Sequence, residues 1–195
     1  MLSHYKDRFA GWADPVARAL VRLHLRPNHL TILGLAASVV AALAFAQGEK
    51  RLAGCLLILS GLFDFFDGSL ARLSGQVTPF GAFLDSVIDR YSDLLVLLGL
   101  LTIFMRRGQK SEVFLTMAVV VGTVMVSYTK ARAQTIGVTC EVGLMERPER
   151  QICLIAGALL DVLPLALWVL AVLVNLTALQ RIVYTWRVAR SGVFR

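Results

Sequence analysis

A chain of 195 residues that is 57% hydrophobic and only 17% charged is too apolar for an ordinary water-soluble domain, and its length suits one compact membrane domain. Its formal charge of +7 is scattered over the ends of apolar runs, which fits a bilayer surface and speaks against nucleic acid as a partner. Three cysteines (Cys55, Cys140 and Cys153) make neither an even disulfide set nor a metal-binding spacing, and are read as reduced and inert.

Residues 1–27 come first, as an amphipathic arm. Tyr5, Phe9, Trp12, Val16, Leu20 and Leu23 step by three or four, with Lys6, Arg8, Arg18 and Arg22 falling elsewhere. Asp14-Pro15 reads as an N-cap followed by a helix-opening proline, so the arm is expected to be two short helices lying on the membrane surface. No signal peptide is expected, because the first long apolar run begins only near Leu30 and has no cleavage pattern. Asn28 is the expected cap of that run.

Apolar stretches then cover most of the chain to residue 186. They predict six spans, at about 30–47, 52–72, 80–105, 112–133, 149–161 and 165–184. Gly48 to Arg51 reads as a tight turn, Leu73 to Pro79 as a polar link with Gly75 and Pro79 as breakers, and Arg106 to Lys110 as a second turn. Asp161 and Pro164 are placed in the turn before the last span, and a basic tail occupies 188–195. The expected fold is thus an all-α integral membrane protein, with the arm at 1–27 and a six-helix domain at 28–187. Six spans put both termini on one side. That side collects fourteen Lys and Arg against five opposite, so the termini are expected to face the cytoplasm.

One stretch does not fit a purely structural membrane helix. Between 64 and 89 stand Asp64, Asp67, Asp85 and Asp89, flanked on both sides by strongly apolar sequence. An ionised Asp at a helix centre costs roughly 2.5–3.5 kcal/mol, so four would cost ~10–14 kcal/mol if all lay mid-bilayer. Such residues persist at an interface, in a wet cavity, or around something positive. Spacings of three (64, 67) and four (85, 89) put each pair on one helix face. Clustered carboxylates without His or Cys suit Mg2+ or Mn2+ rather than zinc or copper. Two helices giving two Asp each could hold two ions and clamp a phosphoryl group. Gly68 and Gly81 allow close approach of a ligand, and Arg72 is a natural phosphate partner. Asp93 continues the stripe by another four residues, with a structural or a supporting role equally open.

The string Asp64-x2-Asp67-Gly68-x2-Ala71-Arg72-x8-Gly81-x3-Asp85-x3-Asp89 resembles the signature of the CDP-alcohol phosphotransferases, with every fixed position filled. The resemblance implies integral membrane enzymes, usually homodimers, that move a phosphoalcohol from a CDP-linked donor to a hydroxyl and release CMP. It implies two metal ions held by Asp64, Asp67, Asp85 and Asp89. Pro27, Asn28, Thr31, Gly68, Ala71, Arg72, Gly81 and Asp85 become donor contacts. Asp89, the last carboxylate, is our choice for the general base that takes the acceptor hydroxyl proton.

The signature leaves the acceptor open. Lys130, Arg132, Arg147, Arg150 and Arg181 form a cationic set at the ends of the last three spans, which suits an acceptor that itself bears a phosphate. Tyr128-x-Lys130-Ala131-Arg132-Ala133, the Glu146 to Arg150 run and Gln180-Arg181 resemble the branch acting on inositol phosphate, the phosphatidylinositol-phosphate synthases. That branch implies CDP-diacylglycerol as donor and inositol 1-phosphate as acceptor. Glycerol 3-phosphate as acceptor, the joining of CDP-inositol to inositol phosphate, and a non-catalytic cation transporter are the alternatives.

Overall fold

The computed structural model describes residues 26–190, so all but the last two residues of the expected surface arm at 1–27, and all but the first three of the expected tail at 188–195, lie outside the described residues, while residues 188–190 continue the last helix. Six α-helices and no strand occur among the described residues: α1 (Pro27–Gln47), α2 (Lys50–Leu73), α3 (Pro79–Arg106), α4 (Lys110–Thr135), α5 (Arg147–Leu159) and α6 (Leu163–Arg190). They fall into two compact units, one reaching Ile103 and the other starting at Phe104.

In the first unit, α1 and α2 form a hairpin around Gly48, whose φ of 91° is the left-handed conformation that ends a helix cheaply only at glycine. Through its middle turns side-chain size, rather than polarity, sorts the faces of α1, the bulky Leu30 and Phe45 being buried near its two ends. Gly34, Ala37, Ser38 and Ala41 are buried, whereas Ile32, Leu33, Val40 and Leu43 are exposed. Bulky residues outward and small ones inward is the pattern of a helix surrounded by lipid, where close backbone approach drives association. Polar links reinforce it. The Ser60 hydroxyl donates to the Gly34 carbonyl at 3.0 Å, so its 2.8 Å bond with Ser38 has Ser38 as donor. Helix α3 meets α1 at Gly99, where any side chain would run into the Ala42 carbonyl.

Helix starts differ from expectation in three places. Pro27 opens α1 and Arg26 holds the N-cap position, so Asn28 is a first-turn residue and not the cap. Pro79 is the first residue of α3 instead of a linker breaker, since proline lacks only an N–H that a first turn leaves unused. Pro164 likewise sits in the first turn of α6, and Asp161 takes the left-handed conformation (φ 59°) between α5 and α6.

The second unit packs α6 against both α4 and α5. Asn175 on α6 donates to the Ala118 carbonyl of α4 at 3.0 Å, beside Gly122. Gly157 of α5 lies against Ala166 of α6. Helices α1, α2, α4 and α6 are long and apolar enough to cross a bilayer. At 28 residues α3 is also long enough, but Asp85, Asp89, Arg90 and Asp93 interrupt it. Helix α5 has 13 residues and spans roughly 20 Å at 1.5 Å per residue, short of a hydrocarbon core of about 30 Å.

Candidate active site

Helix α2 carries Asp64 and Asp67 one turn apart near its C-terminal end, and α3 carries Asp85 two turns after its start. One carboxylate oxygen from each lies within 4.8 Å of the others, with Asp67 buried and the other two half-buried. Three negative groups so close repel strongly outside bulk water. An all-oxygen donor set from two helices, with no His or Cys in the cluster, fits a hard divalent cation. The fourth acid behaves differently. Asp89 lies outside this three-acid cluster, and its Oδ2 is 3.7 Å from Arg90 Nη1.

A cleft of about 220 Å³ opens beside the acids, entirely within the first unit. Pro27, Asn28 and Thr31 line it from α1, and Gly68, Ala71 and Arg72 from α2. Gly81 and Asp85 close it from α3. All eight residues that the sequence singled out for the CDP donor thus share one cavity. Arg72 is steadied by its Nη2, which donates to Ser69 Oγ at 3.3 Å, and that hydroxyl donates in turn to the Phe65 carbonyl at 3.2 Å. Thr31 Oγ1 donates to Asp67 Oδ2 across the α1–α2 hairpin at 2.8 Å.

Sequence reasoning missed Gln76 and Thr78, which also line the cleft. Thr78 Oγ1 accepts the Gly81 N–H at 3.0 Å, the side-chain cap of α3. The signal was present in Thr78-Pro79, a capping residue followed by a helix-opening proline. The cap fixes the start of α3 and so the direction in which Asp85, a turn beyond Gly81, emerges.

The cationic residues all belong to the second unit. Lys130 is half-buried and Arg132 exposed near the end of α4; Arg147 and Arg150 stand in the first turn of α5, with Arg150 buried. Arg181 is buried at 3% exposure. Its Nε donates to the Val142 carbonyl at 2.8 Å, Nη1 to the Val126 carbonyl at 2.7 Å, and Nη2 to Glu146 Oε1 at 3.1 Å. It therefore ties α4 and the 136–146 loop to α6. Thr177 adds a bond from the Met145 N–H at 3.0 Å, and Gly143 lies flat against both residues.

An all-helical membrane chain with an acid cluster beside a cleft is what the signature leads one to expect of a phosphoalcohol transferase, and the comparison with known proteins agrees. The chain belongs to the CDP-alcohol phosphatidyltransferase family, whose sequence profile matches residues 24–188, and it is accordingly a membrane transferase. It is 40% identical over 185 residues to the phosphatidylinositol phosphate synthase of Mycobacteroides abscessus, covering 90% of this chain and 84% of that one. Identity to the archaetidylinositol phosphate synthase of Methanothermobacter thermautotrophicus is 33% over 193 residues, covering 96% and 95%. Among solved structures, the Mycobacterium tuberculosis phosphatidylinositol phosphate synthase with CDP-DAG bound superposes with a TM-score of 0.81 at 38% identity, over 89% of this chain and 93% of that one. The same enzyme in complex with manganese and citrate gives 0.83 at 38% identity, covering 89% and 88%.

Proposed function

We propose that this protein transfers the phosphatidyl group of CDP-diacylglycerol to a hydroxyl of inositol 1-phosphate, yielding phosphatidylinositol phosphate and CMP. The observation that carries this reading is the coincidence of the three-acid cluster with a cleft lined by all eight donor residues. The acceptor rests on the relatives, which are inositol-phosphate enzymes of bacteria and archaea.

In this reading Asp64, Asp67 and Asp85 hold the divalent metal, with Asp89 completing a set for two ions. Mg2+ or Mn2+ bound there would neutralise charge on the pyrophosphate and on the departing CMP. Asn28, Ala71 and Arg72 face the nucleotide and its phosphates, while Pro27, Gly68 and Gly81 keep the walls low enough for close approach. Asp89 takes the proton of the acceptor hydroxyl. The acceptor oxygen then bonds to the lipid-side phosphorus as the bridge to cytidylate breaks, and CMP leaves with the bridging oxygen. Lys130, Arg132, Arg147, Arg150 and Arg181 meet the acceptor's phosphate, and Arg181 also braces the loop that leads into α5.

The same reading has six crossings, an N-terminal surface arm at 1–27, a membrane domain at 28–187, a basic tail from 188, both termini in the cytoplasm, and a homodimer. The direct test supplies membranes with CDP-diacylglycerol labelled in its cytidine, plus Mg2+ or Mn2+. CMP release is then followed with inositol 1-phosphate, free inositol, glycerol 3-phosphate and serine in turn. Release that requires inositol 1-phosphate is expected. Release with glycerol 3-phosphate alone would reassign the acceptor, and no metal-dependent CMP from any of the four would end the proposal.

A further inference from the structure

We infer that Thr31 is a positioning residue for the metal site: its hydroxyl, held on α1, sets the orientation of the Asp67 carboxylate on α2. Thr31 is buried at 8% exposure and Asp67 at 7%, and the 2.8 Å bond between them crosses from one helix to the other. It is a side-chain link of the α1–α2 hairpin that reaches an acid of the cluster, the Ser38–Ser60 link lying about two turns deeper.

The donor is well prepared. Threonine is branched at Cβ and has few rotamers in a helix. The Pro27 carbonyl, four residues back, lies 3.2 Å from the same hydroxyl and marks the usual seat of a helical threonine. Asp67 Oδ2 is the nearer acceptor, so the single hydroxyl proton goes there. One direction of Oδ2 is thereby occupied, and rotation of the carboxylate about its Cβ–Cγ bond is stopped. The remaining lone pairs face a choice already made. Asp64 and Asp85 crowd the same carboxylate, and without the tether mutual repulsion would turn Asp67 away from them. Outer hydrogen bonds of this kind typically change metal affinity 10–100-fold. A residue that the sequence assigned to the donor nucleotide thus acts on the cation first.

The inference rests on the divalent-cation reading of the acid cluster, and the experiment separates the two. Mn2+ binding to the purified full-length protein in detergent is titrated by the loss of the free-ion EPR signal, alongside steady-state CMP release. If the wild-type protein binds no Mn2+, the reading of the cluster itself falls. If it binds, Thr31→Val, which keeps shape and branching but lacks the donor, should weaken Mn2+ by about 10–100-fold. The weakening should be seen with no liponucleotide present, and Thr31→Ser should restore metal binding. Wild-type Mn2+ affinity in Thr31→Val would overturn the inference, and so would an effect confined to the KM of the liponucleotide. Should Thr31→Val fail to fold, Thr31→Ala against Thr31→Ser must give the same ordering.

Discussion

Asp85 and Asp89 bring the same side chain to one face of α3 in different circumstances. Four residues separate them, which is about 6 Å along the helix axis. The two acids of α2 therefore gather with Asp85, and Asp89 is left beside Arg90. Substitution should divide along that line. Asp85→Asn is expected to lose Mn2+ binding and turnover together. Asp89→Asn should lower kcat by about 10²–10⁴-fold, the usual contribution of a general base, while binding of CDP-diacylglycerol largely survives. CMP release and equilibrium binding of the liponucleotide measure the two effects, and near-normal turnover in Asp89→Asn would remove it from the mechanism. The resemblance to the family signature made the donor cleft legible at this scale, whereas the helical period by itself put only each acid pair on one face. Separation along an axis is less visible in a face-sharing pattern, and so the three-plus-one division of the acids was not foreseen. The partners of Arg181 were opaque for another reason: only packing brings two backbone carbonyls and Glu146 to its guanidinium.

Helix pairing turns on glycines whose absent side chains are filled by a neighbour. At Gly99 the obstacle is the Ala42 carbonyl, part of a helix backbone that no rotamer change can move. At Gly122 a Cβ would lie 2.9 Å from the Asn175 amide nitrogen and equally near Val174 Cγ1, both side-chain atoms. Gly99→Ala is therefore expected to destabilise by at least the 1–3 kcal/mol typical of overpacking, and Gly122→Ala by less. Thermal unfolding in a fixed detergent should order the two midpoints accordingly. Arg181→Lys offers a harsher test in the second unit. One ammonium cannot reproduce three bonds fixed by a planar fork, and removing one partner of a buried pair commonly costs about 3–5 kcal/mol. Its unfolding midpoint should fall below that of Gly122→Ala, and methionine in the same place should fare no better. Sequence foresaw that these stretches are helices, with ends within three residues except at α6, which runs six residues past the expected end at 184. It did not foresee their faces, because in α1 both the lipid and the partner helix are apolar and only size distinguishes them.

At the scale of the molecule, the open matter is how often the chain crosses. Four helices qualify on length and composition alone. Helix α3 keeps its acids in its first fifteen residues and ends in an apolar run from Leu94 to Met105, so a crossing leaves Asp85 and Asp89 toward one surface. Helix α5 is the harder case. Roughly 20 Å of helix crosses only if the bilayer thins or if α6, packed along it, shares the mismatch. A short helix could instead enter and lie within one leaflet. Lys110, Glu141, Leu160 and Arg187 are all exposed, and they mark the successive ends of α4, α5 and α6. Because the three native cysteines are free, they can be replaced without breaking a disulfide. Single cysteines are then placed at these four positions and treated in intact cells with an impermeant thiol reagent. With six crossings and the charge bias of fourteen against five, Lys110→Cys and Leu160→Cys should label from outside. Glu141→Cys and Arg187→Cys should label only after permeabilisation. The informative site is residue 160: protection there, with residue 110 still labelled, would mean that α5 does not cross, and the cations at its N-terminal turn would then belong to a helix that ends on the side where it began.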